Sequence, residues 1–368
     1  MRITKYLITL ASLALLISSC KQDPNVIAIG GAISQSGDNA MQGTLGMKGM
    51  MIAIDEANQA GGVDGKKLSF IPEDTQTKAK FAVNAISKLS RADKVSCIIS
   101  TGDIEFQAIN DIVGKERVVT LATICSGMLE ENRSPYLFRY CFNEKIQDAV
   151  LMRFVKDSLH VDEVALLYPN NLWGKEIEKY NEEGARAAGI RISAKETYDP
   201  SSNDQKGVAV KLLARKPEVI CARGFGDGFE ALLRYLSELG FQGRIIGDIT
   251  ISLPGTINNT RGIVQGAYYV SVDLKQGGDP VTEHYRQRFR DAYGTEPSVW
   301  DALGYDSCKF LIEALRISRA EDIPLREAMF KVRDAGLLLG DNSFSESNDV
   351  EFNMSIFQIV DGKQTLVH

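Results

Sequence analysis

Short β-like runs alternate with helix-length amphipathic segments through most of the 368 residues, and this alternation constrains the fold most. The segments between the runs repeat their apolar residues at helical spacing. A parallel strand needs a long crossover to reach its neighbour, so the pattern predicts a parallel α/β architecture. The runs lie at 26–32, 67–72, 95–100, 118–123, 163–168, 190–195, 218–223, 244–247 and 266–272.

The two halves of this alternation share a rhythm, which indicates two similarly wound domains. One helix ends at Ala60-Gly61 and its counterpart ends at Ala188-Gly189. The C-terminal portion carries both helical and strand-like patterns, so it can return to each domain in turn. We expect the first lobe to comprise 26–143 plus 273–338 and the second lobe 144–272 plus 339–368.

The first nineteen residues predict a secretory leader. Two basic residues precede an apolar stretch from Tyr6 to Ile17, which is too short to span a bilayer comfortably. Small residues then lead to Cys20, and 20–25 form a polar tether. This pattern resembles the lipobox of bacterial lipoproteins, which implies that Cys20 is lipidated and holds the body to a membrane outside the cytoplasm. An ordinary signal peptide with an incidental cysteine is the alternative.

Charge and histidine content exclude several functions. Lys+Arg 42 against Asp+Glu 48 gives a formal net charge of −6, and an acidic chain without a basic run is a poor nucleic-acid binder. The three scattered histidines His160, His284 and His368 do not form a His-rich metal motif. We therefore expect no nucleic-acid partner, no metal and no cofactor.

Five cysteines remain besides Cys20, an odd number, so they cannot all pair with one another. Cys97 and Cys221 lie in strand-like runs and are expected as buried small hydrophobes. Cys125 and Cys141 lie in less regular stretches, so a disulfide between them stays an open alternative. No C-x-x-C motif occurs, which disfavours redox and zinc chemistry.

Candidate site residues follow from the ends of the predicted strands, because ligands of open α/β sheets bind beyond the carboxyl ends of the strands. In the first lobe these ends are small and polar, at 34–37, 100–103 and 123–126. In the second lobe they carry the aromatic residues Trp173 and Phe225. Facing sets of this kind suit a small polar ligand with an apolar part.

A series of motifs resembles the leucine/isoleucine/valine-binding type of type I periplasmic binding proteins, the substrate receptors of ABC importers. The motifs are Asn58-Gln-Ala-Gly-Gly-Val-Asp-Gly-Lys-Lys-Leu68, Pro135-Tyr-Leu-Phe-Arg139, Trp173-Gly174 and Gly304-Tyr-Asp306. The resemblance implies two Rossmann-like lobes of parallel-sheet α/β, joined by three hinge strands, that close over a ligand. It also implies a receptor without catalysis that passes an amino acid, or a related amide or organic acid, to an ABC permease. We expect a monomer.

The resemblance also implies roles for individual residues. In that family, small hydroxyl residues and backbone N–H groups hold the ligand carboxylate, and Ser126 matches a hydroxyl position. The carbonyl of Ile124 and the acidic residue Asp248 match the partners of the amino group. Trp173 and Phe225 match the aromatic residues that close over the ligand. Thr101, Asp103 and Gln42 complete the predicted set.

Two residues depart from the family pattern. Asp103 stands where small hydroxyl residues are usual, and its carboxylate would repel a ligand carboxylate unless it turns away. Arg223 is larger and more charged than expected beside Gly224. These departures indicate that the pocket differs from a standard amino-acid pocket.

Two other functions stay open. Gly224-Phe-Gly226-Asp-Gly228, with Asp248 about 20 residues later, approximates the fingerprint of a dinucleotide-dependent enzyme, although the third glycine comes one place early. The same two-lobed fold also suits a sensor subunit that reports its ligand to a membrane signalling partner.

Overall fold

The computed structural model describes residues 23–127, 132–272, 274, 279–340 and 342–367. The predicted leader 1–19 and Cys20 lie outside the described residues. Within those ranges, no helix combines the length and the apolar character needed to cross a membrane.

The first sheet contains five parallel strands in the order β2-β1-β3-β4-β5. The central strands are apolar and buried, because helices cover both faces of the sheet. The strands are β1 Val26–Ile33, β2 Lys67–Asp74, β3 Cys97–Thr101, β4 Thr120–Thr123 and β5 Leu137–Tyr140. The connecting helices are α1 Ala40–Gln59, α2 Ala79–Arg91, α3 Asp103–Ala108 and α4 Asn110–Glu116.

The second sheet has the order β12-β11-β10-β9-β8-β6-β7. Strands β6 to β10 pair in parallel, whereas β11 pairs antiparallel with β10 and with β12. The strands are β6 Glu163–Pro169, β7 Arg191–Tyr198, β8 Val219–Ala222, β9 Arg244–Asp248, β10 Tyr268–Val272, β11 Met354–Val360 and β12 Lys363–Leu366. The helices of this part are α5 Glu144–Asp157, α6 Leu172–Ala188, α7 Lys206–Leu213, α8 Gly226–Glu238 and α9 Pro254–Asn259, with a 3-10 turn at Ile249–Ser252.

Three C-terminal helices follow, α10 Pro280–Tyr293, α11 Val299–Glu321 and α12 Leu325–Ala328. Helix α11 packs along α1 at a contact that requires glycine, because a Cβ at Gly304 would overlap the carbonyl oxygen of Gly46. Two residues later, the Asp306 carboxylate accepts the backbone N–H groups of Leu338 at 2.8 Å and Leu339 at 2.9 Å. The Gly-Tyr-Asp motif is therefore explained by helix packing and by anchoring of the following segment.

The parallel α/β sheets predicted from the alternation are confirmed. Strands β10 and β11 both belong to the second sheet, but α11 between them packs against α1, so in the described residues the chain passes between the two parts at three places. The passages follow β5, follow β10 and precede β11. Before the last passage, Asp349 forms a β-bridge with Arg139, and the rings of Phe344 and Phe138 lie 5.0 Å apart. Part of the segment after 339 therefore contacts the first sheet, although the sequence assigns all of it to the second lobe. The lobe boundaries themselves stay a prediction.

Candidate ligand-binding site

A cavity of about 40 Å³ lies where loops at the carboxyl ends of strands of the two sheets meet. It is large enough for about three water molecules, since one needs roughly 10–15 Å³. Ile124 and Ser126 enter it from the loop after β4, and Phe225 enters from the loop after β8. Residues from both sides of the cleft therefore share one cavity.

Seven of the eight residues predicted for the ligand site line this cavity: Gln42, Asp103, Ile124, Ser126, Trp173, Phe225 and Asp248. Thr101 does not line it. The Thr101 side chain is buried, and its hydroxyl accepts the backbone N–H of Ser34 at 3.0 Å. That hydrogen bond joins the end of β3 to the loop after β1. The role of Thr101 in ligand binding stays a prediction.

The structure adds residues that the sequence interpretation did not include. Glu144 and Gln147 project from α5, and Phe142 and Trp300 add two further rings. The other additions are Asn39, Cys125, Cys141, Ile249 and Thr250. The available signal was the polar spacing of Glu144, Gln147 and Asp148 at i, i+3 and i+4, which places the three on one helix face. That face is buried, and the buried apolar residues Leu151 and Val155 continue it along the helix.

Arg223 lies directly behind the cavity and is fully buried. Its guanidinium binds three carboxylates: Asp248 at 2.8 Å through Nε, Asp148 through Nη1 and Glu144 through Nη2. Burial raises the pKa of Asp148 to about 8, while the charge of Arg223 opposes that shift. The departure from the family pattern at Arg223 thus coincides with a buried group of acidic residues that needs a cation.

The aromatic side of the cavity is fixed by local structure at the start of α6. The Asn171 side chain caps this helix by accepting the Gly174 N–H at 2.9 Å. A Cβ at Gly174 would overlap the carbonyl oxygen of Pro169, which explains the glycine after Trp173. The Trp173 indole N–H donates to Glu144 Oε1 at 2.8 Å, and its ring lies 5.6 Å from that of Phe225.

Asp103 begins α3 and lines the cavity instead of turning away. Its Oδ1 accepts the backbone N–H of Gly127 at 2.6 Å. Burial raises the pKa of Asp103 to about 7, the Gly127 hydrogen bond opposes the shift, and the charges of Glu144 and Glu176 add to it. The carboxyl therefore sits in an environment that disfavours its charged form.

Two wider cavities adjoin the central one and share Trp173 with it. One of about 530 Å³ is lined by Asp38, Tyr198 and Phe225, among others. The other, of about 490 Å³, is lined by Asp103, Glu176 and the apolar side chain of Ile104, among others. Among the described lining residues, Trp173 is the one common to all three cavities.

Two other sequence expectations concern cysteine and glycine. Cys125 and Cys141, where a disulfide was left open, are both buried and free. Gly224 of the dinucleotide-like pattern is needed for packing, because a Cβ there would overlap the Tyr198 hydroxyl. In the described ranges, no group of His, Cys, Asp and Glu side chains is arranged to hold a metal ion.

Comparison of the chain with known proteins assigns it to a family. The family described as periplasmic binding protein matches residues 26–364. The chain belongs to this family. An amino acid binding protein of Pseudomonas aeruginosa is 22% identical over 339 residues, which cover 88% of this chain and 87% of that protein. The resemblance to the leucine/isoleucine/valine-binding type is confirmed.

Solved structures show the same fold. The branched-chain amino acid transporter substrate binding protein of Streptococcus pneumoniae, in complex with isoleucine, superposes with a TM-score of 0.84 at 22% identity, covering 93% of this chain and 99% of that one. A solute binding protein of an ABC transporter from R. palustris, in complex with benzoate, gives 0.83 at 16% identity, covering 93% and 95%. The type I periplasmic binding protein fold predicted from the sequence is confirmed.

Proposed function

We propose that this protein is an extracytoplasmic receptor without catalytic activity that captures a small polar solute between its lobes. The observation that carries the proposal is the cavity lined from both sides of the cleft, with Ser126 and Asp103 on one side and Trp173 and Phe225 on the other. A solute held there contacts both lobes, so it stabilises the closed arrangement through contacts that an open one lacks. The amino-acid and benzoate ligands of its relatives support a small solute.

The receptor is further proposed to act as a monomer that delivers its solute to an ABC permease. Lipidation at Cys20 would hold it beside that permease, because two acyl chains anchor a soluble body stably. Replacing Cys20→Ala and fractionating cells tests the anchor: the processed variant should leave the membrane fraction. A processed variant that stays membrane-integral would refute lipid anchoring.

Binding and closure are tested on the mature chain without lipid. A thermal-shift screen against amino acids, amides, amines and small organic acids should find a stabilising solute, since 100 times the dissociation constant stabilises by about 2.7 kcal/mol. X-ray scattering should then give a smaller radius of gyration with that solute than without it. An unchanged radius at saturation, with binding shown by calorimetry, would count against closure.

A further inference from the structure

The charged side chains that line the central cavity are all carboxylates. Asp103, Glu144 and Asp248 contribute carboxylates, and none of the described lining residues is basic. Behind them, the single guanidinium of Arg223 already binds Glu144, Asp148 and Asp248. Because its raised pKa of about 8 leaves Asp148 mostly neutral at pH 7, Glu144 and Asp248 exceed the guanidinium by one charge, and an ionised Asp103 makes the excess two.

A buried amide points to a hydrogen-bond donor in the ligand. Gln147 lines the same cavity and is about 1% exposed. Its Oε1 has no hydrogen-bond partner among the residues that the structure describes. A buried acceptor without a donor is unfavourable, so this oxygen is suited to a ligand N–H.

A ligand carboxylate finds a poor environment in the same cavity. The backbone N–H of Gly127, a donor at its first-lobe side, is already bound by the carboxylate of Asp103. A ligand carboxylate would lie beside the Asp103 carboxyl without an added positive charge, and the ionised form of Asp103 would repel it. Isoleucine and benzoate, bound by the two relatives, both carry a carboxylate.

The aromatic rings favour the opposite charge. Trp173 pairs with Phe225 at 5.6 Å, and Phe142 pairs with Trp300 at 6.1 Å. All four rings line the cavity. Aromatic faces attract cations and also bury alkyl groups, so the rings suit a cation with a short apolar part.

We propose that the ligand is a small organic cation that carries N–H donors and no carboxylate, such as an alkylammonium or guanidinium ion. This inference rests on the proposed solute-binding function and specifies the ligand class of the same site. The cationic N–H groups bind Asp103 and Gln147 Oε1, and the alkyl part packs against Trp173 and Phe225.

The approaches to the cavity have the same sign of charge. Asp38, Asp199 and Asp227 line one adjoining cavity, and Asp103 and Glu176 line the other. Neither cavity has a basic residue in its described lining. A cleft lined by one sign of charge concentrates ions of the opposite sign and raises their rate of association.

The test compares solutes of similar size that differ in charge, by calorimetry on the mature chain at one ionic strength. The cations are methylammonium to butylammonium and guanidinium; propanol is the neutral isostere, propionate the anion and isoleucine the zwitterion. We expect at least one cation to bind about tenfold or more tightly than propanol, and propionate and isoleucine not to bind.

Two variants locate the effect. Asp103→Asn should weaken cation binding about tenfold or more, whereas Asp64→Asn, the same change at an exposed turn of the first lobe, should leave it unchanged. Gln147→Leu should also weaken cation binding. Circular dichroism confirms folding, and if a variant fails to fold, the wild-type solute comparison decides alone.

The outcomes separate this inference from the function beneath it. Binding of propionate or isoleucine without binding of any cation overturns the cationic ligand and leaves the solute-binding function standing. Cation binding that is equal in wild type and Asp103→Asn also overturns the inference, because the carboxylate then contributes nothing. If a broad screen finds no solute of any charge, the proposed function fails and the inference fails with it.

Discussion

Arg223→Met should strongly destabilise the protein, because Arg223 is the cation among three buried carboxylates. The side chain is fully buried, and so are Glu144 and Asp148, with Asp248 nearly so. Methionine fills much of the same volume but supplies no charge and no donor. The substitution therefore leaves several buried carboxylate oxygens without a donor, while the apolar part of the side chain still fills the space after the end of β8.

The magnitude follows from the number of groups affected. Removing one partner of a buried ion pair costs about 3–5 kcal/mol, because the other charge stays buried without compensation. With the pKa of Asp148 raised to about 8, that carboxyl is mostly neutral at pH 7, so the main loss falls on Glu144 and Asp248. We expect a loss of about 3–5 kcal/mol at pH 7.5, a large fraction of a typical stability of about 5–15 kcal/mol.

Urea unfolding followed by circular dichroism measures this loss, with Arg153→Met on the exposed face of α5 as the matched control. The control should stay within about 0.5 kcal/mol of wild type. Without the guanidinium, the carboxyls regain stability by taking up protons, so the deficit of Arg223→Met should shrink from pH 7.5 to pH 5.5. A deficit no larger than the control's, or one that grows on acidification, would refute this account of the cluster.

Three further predictions concern the cavity and the fold. The charges of Glu105, Glu144 and Glu176 face Asp103, and its pKa is raised to about 7, so the Asp103 carboxyl stabilises the folded protein below about pH 4 and loses this contribution as the pH rises through 7. The affinity for an alkylammonium ion should rise about tenfold from pH 6 to pH 8, because the carboxyl ionises over that range. Calorimetry on Asp103→Asn should show no such rise. Trp173→Ala should weaken binding of the cognate solute about thirtyfold, mainly through faster release in stopped-flow traces, and an unchanged release rate would contradict the lid role. Gly304→Ala should lower the melting temperature by forcing α11 from α1, whereas Gly207→Ala, at an open position of α7, should not; equal effects would refute the close contact.

The strands and the fold class were predictable because their signals are local. Most of the runs proposed as strands are short and apolar, and such a run predicts a strand from its own residues, without knowledge of the elements that pack against it. The burial of the polar face of α5, in contrast, depends on a residue that is distant in the sequence. Glu144, Gln147 and Asp148 look solvent-exposed in the sequence, and only the position of Arg223, far along the chain, makes their burial favourable.

Thr101 and Asp103 show a similar limit at the scale of two residues. Both follow the expected rule that functional side chains lie where strands end. The structure assigns Thr101 to a hydrogen bond with the Ser34 backbone and Asp103 to the cavity. Which of the two faces a ligand depends on where β3 stops and α3 begins, and boundaries are the weakest part of sequence interpretation.

Glu144 links the charge cluster to the aromatic wall of the cavity. One of its carboxylate oxygens binds the Arg223 guanidinium, and the other accepts the Trp173 indole N–H at 2.8 Å. Glu144 is the first residue of α5, the helix that follows the passage of the chain from the first sheet to the second. A movement of this helix relative to β8 therefore disturbs the partners of Arg223 and the orientation of Trp173 together. Loss of either partner would leave an oxygen of the buried Glu144 carboxylate unpaired and would destabilise the protein. Trp173 is therefore held in place by the same interactions that stabilise the second lobe.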